Sequence, residues 1–284
     1  MFGPMPIRFV ITTFSLLFAI HSGAAETESS KWFYTEGRPK AVGLVLHGLN
    51  LKPSRMDSIS AFLASNGYDL YRLKLRGHGD SLGDFKNVSR EEWLREMSSG
   101  VAAVQARAKL LKVPTFVVGY SVGALVYFDL KAWDSEMNLG PQILFAPALT
   151  PRSRNKLIFP FKIFGKGFCI PSLSPRAYRA NGCTPIAAYN ALFESSGFLS
   201  GTGFERLNEP SILFVDPRDE LVSATNLKKA VAGPLNRWTV FEVGIQESTL
   251  PTAYHHLIID EASVGARLWR TIQTKMLSHL SETL

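Results

Sequence analysis

Short apolar runs alternate along this chain with longer stretches whose apolar residues recur every three or four positions. AVGLVLH (41–47), YDLYRLKL (68–75), TFVVGY (115–120), QILFAPA (142–148), SILFVD (211–216) and WTVFEVG (238–244) predict strands. Several are apolar at nearly every residue, as in a sheet covered on both faces. Between them, 54–67, 89–111, 121–133, 223–233 and 261–280 carry helical spacing. Gly67 supplies a stop signal for the first, and Ser89 with Glu92 makes a capping box for the second. Strand and helix in repeated alternation predict an α/β chain with a mainly parallel sheet and helices on both faces.

Two segments break the alternation. Residues 1–25 join a positive Arg8 to an apolar run over 9–20 and then to small residues, with Gly23 and Ala25 before a possible cleavage point. That is the layout of a secretory signal peptide. The run falls short of the ~20 apolar residues that a spanning helix needs. The expected mature chain begins near Glu26 and is periplasmic or secreted, with an uncleaved anchor as the alternative. Residues 150–208 lie between two strands, are rich in Pro, Gly and aromatics, and are too long for an ordinary connection. They are expected to form an inserted cap or lid on a core made of 26–149 and 209–284.

Charge sharpens this picture. The formal net charge of +7 is concentrated in the inserted segment, where Arg152, Arg154, Lys156, Lys162, Lys166, Arg176, Arg179 and Arg206 face only Glu194 and Glu205. Such a patch suits an anionic lipid surface or acidic substrate, with a merely solvated face as the alternative. No aromatic-basic nucleic-acid motif accompanies it, and an exported chain is a poor candidate for that role, so no nucleic-acid partner is expected. Cys169 and Cys183 either pair in an oxidising compartment, worth about 3 kcal/mol for such a loop, or remain free thiols. Their spacing fits no common zinc pattern, and no P-loop, dinucleotide fingerprint or H-E-x-x-H site occurs. No metal or other cofactor is expected.

The candidate chemistry centres on Gly119-Tyr120-Ser121-Val122-Gly123, where a predicted strand meets a predicted helix. A sharp turn there exposes the serine hydroxyl, and small flanking residues let neighbouring backbone pass closely. A serine needs a histidine to accept its proton and a carboxylate to orient that histidine. Asp219 and His255 both follow strands and reach the same sheet edge, the edge at which open α/β sheets bind ligands. Asp216 and Glu220 compete with Asp219, and His256 competes with His255. For the oxyanion, Gly48 turns the chain after LVLH so that the Leu49 amide faces the serine, and the Val122 amide follows the nucleophile. His47 is expected to be structural, holding that loop by hydrogen bonds.

These pieces together resemble an α/β-hydrolase of the monoacylglycerol lipase, lysophospholipase and serine aminopeptidase-like branch. The likeness rests on LVLHGLN, GYDLYRLKLRGHGDS, GYSVGAL, DPRDELV and AYHHLIIDE, in the family's order over about 230 residues. It implies the α/β-hydrolase fold with an inserted cap, a Ser121–His255–Asp219 triad, and Leu49 and Val122 as oxyanion donors. It also implies that Arg76, Gly77, His78 and Gly79 are architectural. The chain departs from the pattern in three places. Few residues precede the first parallel strand, Asp216 stands where glycine is frequent, and Val122 replaces the tryptophan of the prolyl-peptidase members. No acidic pair in the insertion would grip a free amino terminus, which disfavours peptidase activity. The implied activity is hydrolysis of carboxylic esters of lipid-like substrates such as lysophospholipid or monoacylglycerol. An acyltransferase, a thioesterase or a non-catalytic binding protein on the same fold are the alternatives.

Overall fold

The computed structural model describes residues 28–79, 81–245, 247–250 and 254–284. The predicted signal peptide lies outside the described residues. In chain order the strands are β1 (Lys31–Phe33), β2 (Ala41–Leu46), β3 (Tyr68–Leu73), β4 (Thr115–Tyr120), β5 (Gln142–Phe145), β6 (Cys169–Pro171), β7 (Cys183–Pro185), β8 (Ser211–Val215) and β9 (Trp238–Glu242). The helices are α1 (Asp57–Ser65), α2 (Leu82–Lys86), α3 (Arg90–Leu111), α4 (Val122–Trp133), α5 (Ile186–Thr202), α6 (Ala224–Val231), α7 (Glu261–Val264) and α8 (Ala266–Thr283).

Seven strands form one sheet in the order β1-β3-β2-β4-β5-β8-β9. All neighbours pair in parallel except β1, which runs antiparallel to β3 at one edge. This is the predicted α/β architecture with a mainly parallel sheet. The period of two along each strand explains its two covers. Val42, Leu44, Leu46, Val117, Leu144, Leu213 and Val215 point to one face, where α3, α4 and α6 pack. Ala41, Val45, Phe116, Val118, Ile143, Phe145, Ile212 and Phe214 point to the other, beneath α1 and α8. With both faces closed, the strands have no polar side to show, hence their continuous apolar runs.

The helical pattern was legible but not its interruptions. The predicted helix over 261–280 divides at Gly265, whose φ of 89° ends α7 before α8 starts. The capping box at Ser89 is present, with each side chain bonded to the other residue's backbone N–H.

Residues 150–208 contribute a 3₁₀ stretch over Ser153–Phe164, the small hairpin of β6 and β7, and α5. Cys169 and Cys183 are disulfide-bonded across that hairpin. Helix α5 packs on α3 and α4 and adds Ala187, Ala188, Ala191, Leu192 and Leu199 to the α3/α4 core. This part of the insertion is therefore core in its packing.

Ile143, wholly buried at the centre of the sheet, tests this packing. Ile143→Ala should lower the unfolding free energy by about 3 kcal/mol. Urea titration would show a lower midpoint at an unchanged slope. A loss below about 1 kcal/mol would mean that the strand is not sealed between two layers.

Candidate active site

Parallel register levels the carboxyl ends of the strands: Leu46 pairs with Gly119, Tyr120 with Phe145, and Phe145 with Phe214. His47, Ser121 and Asp216 therefore leave the sheet at one edge. Between β4 and α4 there is only Ser121, with φ 51° and ψ −118°. A non-glycine residue at positive φ is strained by of order 1–3 kcal/mol and persists only where its surroundings hold it. Here Ser121 N–H donates to the Phe145 carbonyl at 2.9 Å, and the Ser121 carbonyl accepts from Ala148 N–H at 3.1 Å. The flanking glycines are explained by contact. A Cβ on Gly119 would stand 2.9 Å from that of Ala124, and one on Gly123 would stand 2.8 Å from Leu46 Cβ and press on the His47 carbonyl.

The hydroxyl of Ser121 lies 2.8 Å from Nε2 of His256, and His256 Nδ1 lies 2.8 Å from Oδ2 of Asp219. All three side chains are buried. The other Asp219 oxygen accepts from the N–H groups of Leu221 (2.7 Å) and Val222 (2.8 Å). Burial alone would raise the Asp219 carboxyl, but the adjacent His256 and these N–H donors outweigh it and hold it below the usual carboxylate range. An ionised Asp219 keeps the proton of His256 on Nδ1, which leaves the Nε2 lone pair for the Ser121 hydroxyl.

The expected histidine was His255, and here the structure differs. His255 turns away from Ser121, and its Nδ1 lies 3.2 Å from the buried Asp216. Asp216 also accepts from Arg218 N–H at 2.7 Å and Ile245 N–H at 3.2 Å. The third carboxylate, Glu220, accepts from the backbone N–H of His255 and of His256, each at 3.0 Å. A bidentate clamp on two successive amides fixes where both rings project, and only the second ring points to the serine. Tyr120 adds to the hold: its hydroxyl donates to the His256 carbonyl at 3.2 Å. Asp216, Asp219 and Glu220, weighed as rivals for one role, thus occupy three different ones.

The expected oxyanion loop is held from below. His47 Nδ1 donates to the Gly48 carbonyl at 2.9 Å, and its Nε2 accepts from Leu75 N–H at 3.1 Å. In a trans peptide the N–H points opposite to the C=O, so the Leu49 N–H is aimed away from His47. The Val122 N–H, first in its helix, has no acceptor inside α4. Among the described residues neither amide has a protein acceptor. The tight fit at Gly48 brings this loop against the elbow, since a Cβ there would stand 3.2 Å from Ser121 Cβ. His78 packs with its ring centroid 4.4 Å from that of His47. The expected basic patch is partly committed: Arg152 donates to the Asp219 carbonyl, Arg179 to that of Ser172 and Arg206 to that of Ala132. Lys162, Lys166 and Arg176 are exposed. A groove of about 450 Å³ beside Leu94, Leu130, Trp133 and Met137 lies at the far end of α4 and includes none of these groups.

Comparison with known proteins agrees with the fold. The family described as serine aminopeptidase, S33 matches residues 37–182, just over half of the chain. No curated protein sequence matches it. Among solved structures, a metagenome-derived lipolytic enzyme superposes with a TM-score of 0.71 at 15% identity, covering 90% of this chain and 98% of its own. A monoglyceride lipase from Saccharomyces cerevisiae, solved with a substrate analogue, gives 0.70 at 13% identity, covering 90% and 92%. A monoacylglycerol lipase from Paleococcus ferrophilus gives 0.62 at 18% identity, covering 88% and 98%. At these identities the likeness is one of fold.

Burial, with His78 nearby, pushes His47 well below the ordinary histidine value, in keeping with an Nε2 that must accept a hydrogen bond. Unfolding lets His47 take a proton that the folded chain refuses. Stability should therefore rise with pH up to about 6.5 and fall as the medium is acidified below it. Unfolding free energies measured between about pH 5 and 7 should show this slope. It should be shallower in His47→Asn, and not abolished, because half-buried His279 is also lowered. Equal slopes would contradict the assignment.

Proposed function

The chain belongs to the serine aminopeptidase S33 family of α/β-hydrolases, and from that premise we propose that it is an exported serine hydrolase acting on carboxylic esters of lipid-like molecules. One observation carries the reading: the continuous hydrogen-bonded chain from Ser121 through His256 to Asp219, with 2.8 Å at each step. Ser121 Oγ attacks the ester carbonyl carbon while His256 Nε2 takes its proton. The oxygen that gains the electron pair faces the N–H groups of Leu49 and Val122, and Asp219 stabilises the imidazolium. Collapse of the intermediate breaks the bond to the alcohol, which leaves with the proton from His256. Water, deprotonated by the same imidazole, then releases the acid from Ser121.

The substrate class is supported by the neighbours and by the inserted segment. The structural neighbours named above are lipolytic. The two carboxylates of 150–208, Glu194 and Glu205, are both exposed, an arrangement unsuited to gripping a substrate's amino group in a closed site. The same segment presents Ile163 and Leu173, 82% and 91% exposed, beside the clustered rings of Phe161, Phe164 and Phe168. Lys162, Lys166 and Arg176 alternate with them in the sequence and are exposed too. Exposed apolar and cationic side chains on one segment suit an anionic lipid surface. Export is supported by the N-terminal sequence pattern and by the Cys169–Cys183 disulfide, a bond at home in an oxidising compartment.

Two experiments follow. With p-nitrophenyl esters, Ser121→Ala and His256→Ala should each lower kcat by about 10⁴-fold or more. His255→Ala should stay within about tenfold of the wild type. Preferential cleavage of aminoacyl amides, or an active Ser121→Ala, would overturn the esterase reading. In co-sedimentation, vesicles containing phosphatidylserine should retain the protein more than phosphatidylcholine vesicles, and Ile163→Ser with Phe164→Ser should remove most of the difference. Equal retention on both vesicle types would refute the lipid contact.

A further inference from the structure

The residue after the Leu49 amide is Asn50, buried and at a φ of 52°. Its side chain reaches into the insertion. Nδ2 donates to the Asn181 carbonyl at 3.0 Å and to Thr184 Oγ1 at 3.1 Å, with the Cys183 carbonyl at 3.4 Å. Oδ1 accepts from Asn181 N–H at 2.8 Å, and the Asn50 carbonyl accepts from Ala180 N–H at 2.8 Å. The contact continues on both sides: Lys52 N–H donates to the Tyr178 carbonyl, Leu51 bridges Arg179, and Asn181 Nδ2 donates to the Gly77 carbonyl. On the insertion side these contacts all lie in 178–184, the segment that runs into β7 and contains Cys183 of the Cys169–Cys183 disulfide.

The loop bearing Leu49 is therefore gripped from two directions. His47 holds the Gly48 carbonyl from the sheet side, and Asn50 holds the other end from the disulfide-closed hairpin. A donor helps a transition state only where its direction is fixed beforehand, because reorientation during reaction would cancel the gain. We propose that Asn50 is a positioning residue: it fixes the direction of the Leu49 N–H by tying the oxyanion loop to the β6–β7 hairpin, so that turnover depends on the Cys169–Cys183 bond. This rests on the esterase reading above, in which Leu49 N–H faces the oxyanion.

The test compares the full chain with Asn50→Gly, Asn50→Asp, the double variant Cys169→Ser/Cys183→Ser, and Asn50→Gly combined with that double variant. Glycine retains the left-handed backbone and removes the side-chain bonds, whereas aspartate keeps the acceptor for Asn181 N–H. Steady-state ester hydrolysis and the rate of Ser121 labelling by a fluorophosphonate probe are measured for each. Asn50→Gly should lower kcat and the labelling rate by about 10–100-fold, with KM within about threefold. Asn50→Asp should recover part of that loss. The double serine variant should fall in the same direction, and adding it to Asn50→Gly should cost little more, because both changes release one contact. An unchanged kcat in Asn50→Gly, a rise in KM alone, or losses that multiply independently would overturn the proposal. If Asn50→Gly does not fold, Asn50→Asp decides it: wild-type kcat and labelling rate there would refute it. Failure of the esterase reading would appear elsewhere, as Ser121→Ala that still hydrolyses the ester or a wild type that resists the probe.

Discussion

A single residue separates the end of a buried strand from the start of a buried helix, and the site is built around that constraint. Ser121 can make the turn only at positive φ. The strain is held because its backbone is bonded to β5 and to Ala148, and because Gly119 and Gly123 let α4 and the end of β2 approach closely. A similar closeness at Gly48 sets the Gly48–Leu49 loop against the elbow. The Ser121 hydroxyl and the Leu49 and Val122 amides thus owe their places to one packing solution, and a side chain added at either flanking glycine would disturb both.

The histidine side is secured differently, by excess of hydrogen bonds over freedom. The His256 ring is held by Asp219, its N–H by Glu220 and its carbonyl by Tyr120. The neighbouring His255 is drawn to Asp216. Two aspartates three residues apart each take one of two successive histidines, and the glutamate beside them takes both backbone amides. The arrangement leaves His256 a single orientation, in which it bridges acid and hydroxyl.

Much of the fold was legible because periodicity is a repeated signal. β2, β4, β5 and β8 are buried almost throughout, and α3 and α8 each bury one face at helical spacing. The elbow was legible because its glycines and serine have fixed spacing between a strand and a helix. The choice between His255 and His256 was not, since a one-residue shift in an irregular loop changes no period and both side chains are chemically able. What decides it is the Glu220 clamp, a contact 36 positions away from His256 in sequence. Asn50 was invisible for the same reason: its partners at 180–184 lie more than a hundred residues on. Residues 150–208 were legible as an insertion from their length and composition, but which of their apolar residues join the core was not, because a helix rich in alanine looks alike on a lid and under one; Ala187, Ala188 and Ala191 of α5 join the α3/α4 side.

The most direct test of this account is the position of covalent attack. Peptide mapping by mass spectrometry after reaction with a fluorophosphonate should place one adduct on Ser121, in the peptide that spans the β4–α4 turn. An adduct on any other residue, or none while the same preparation goes on hydrolysing esters, would contradict it.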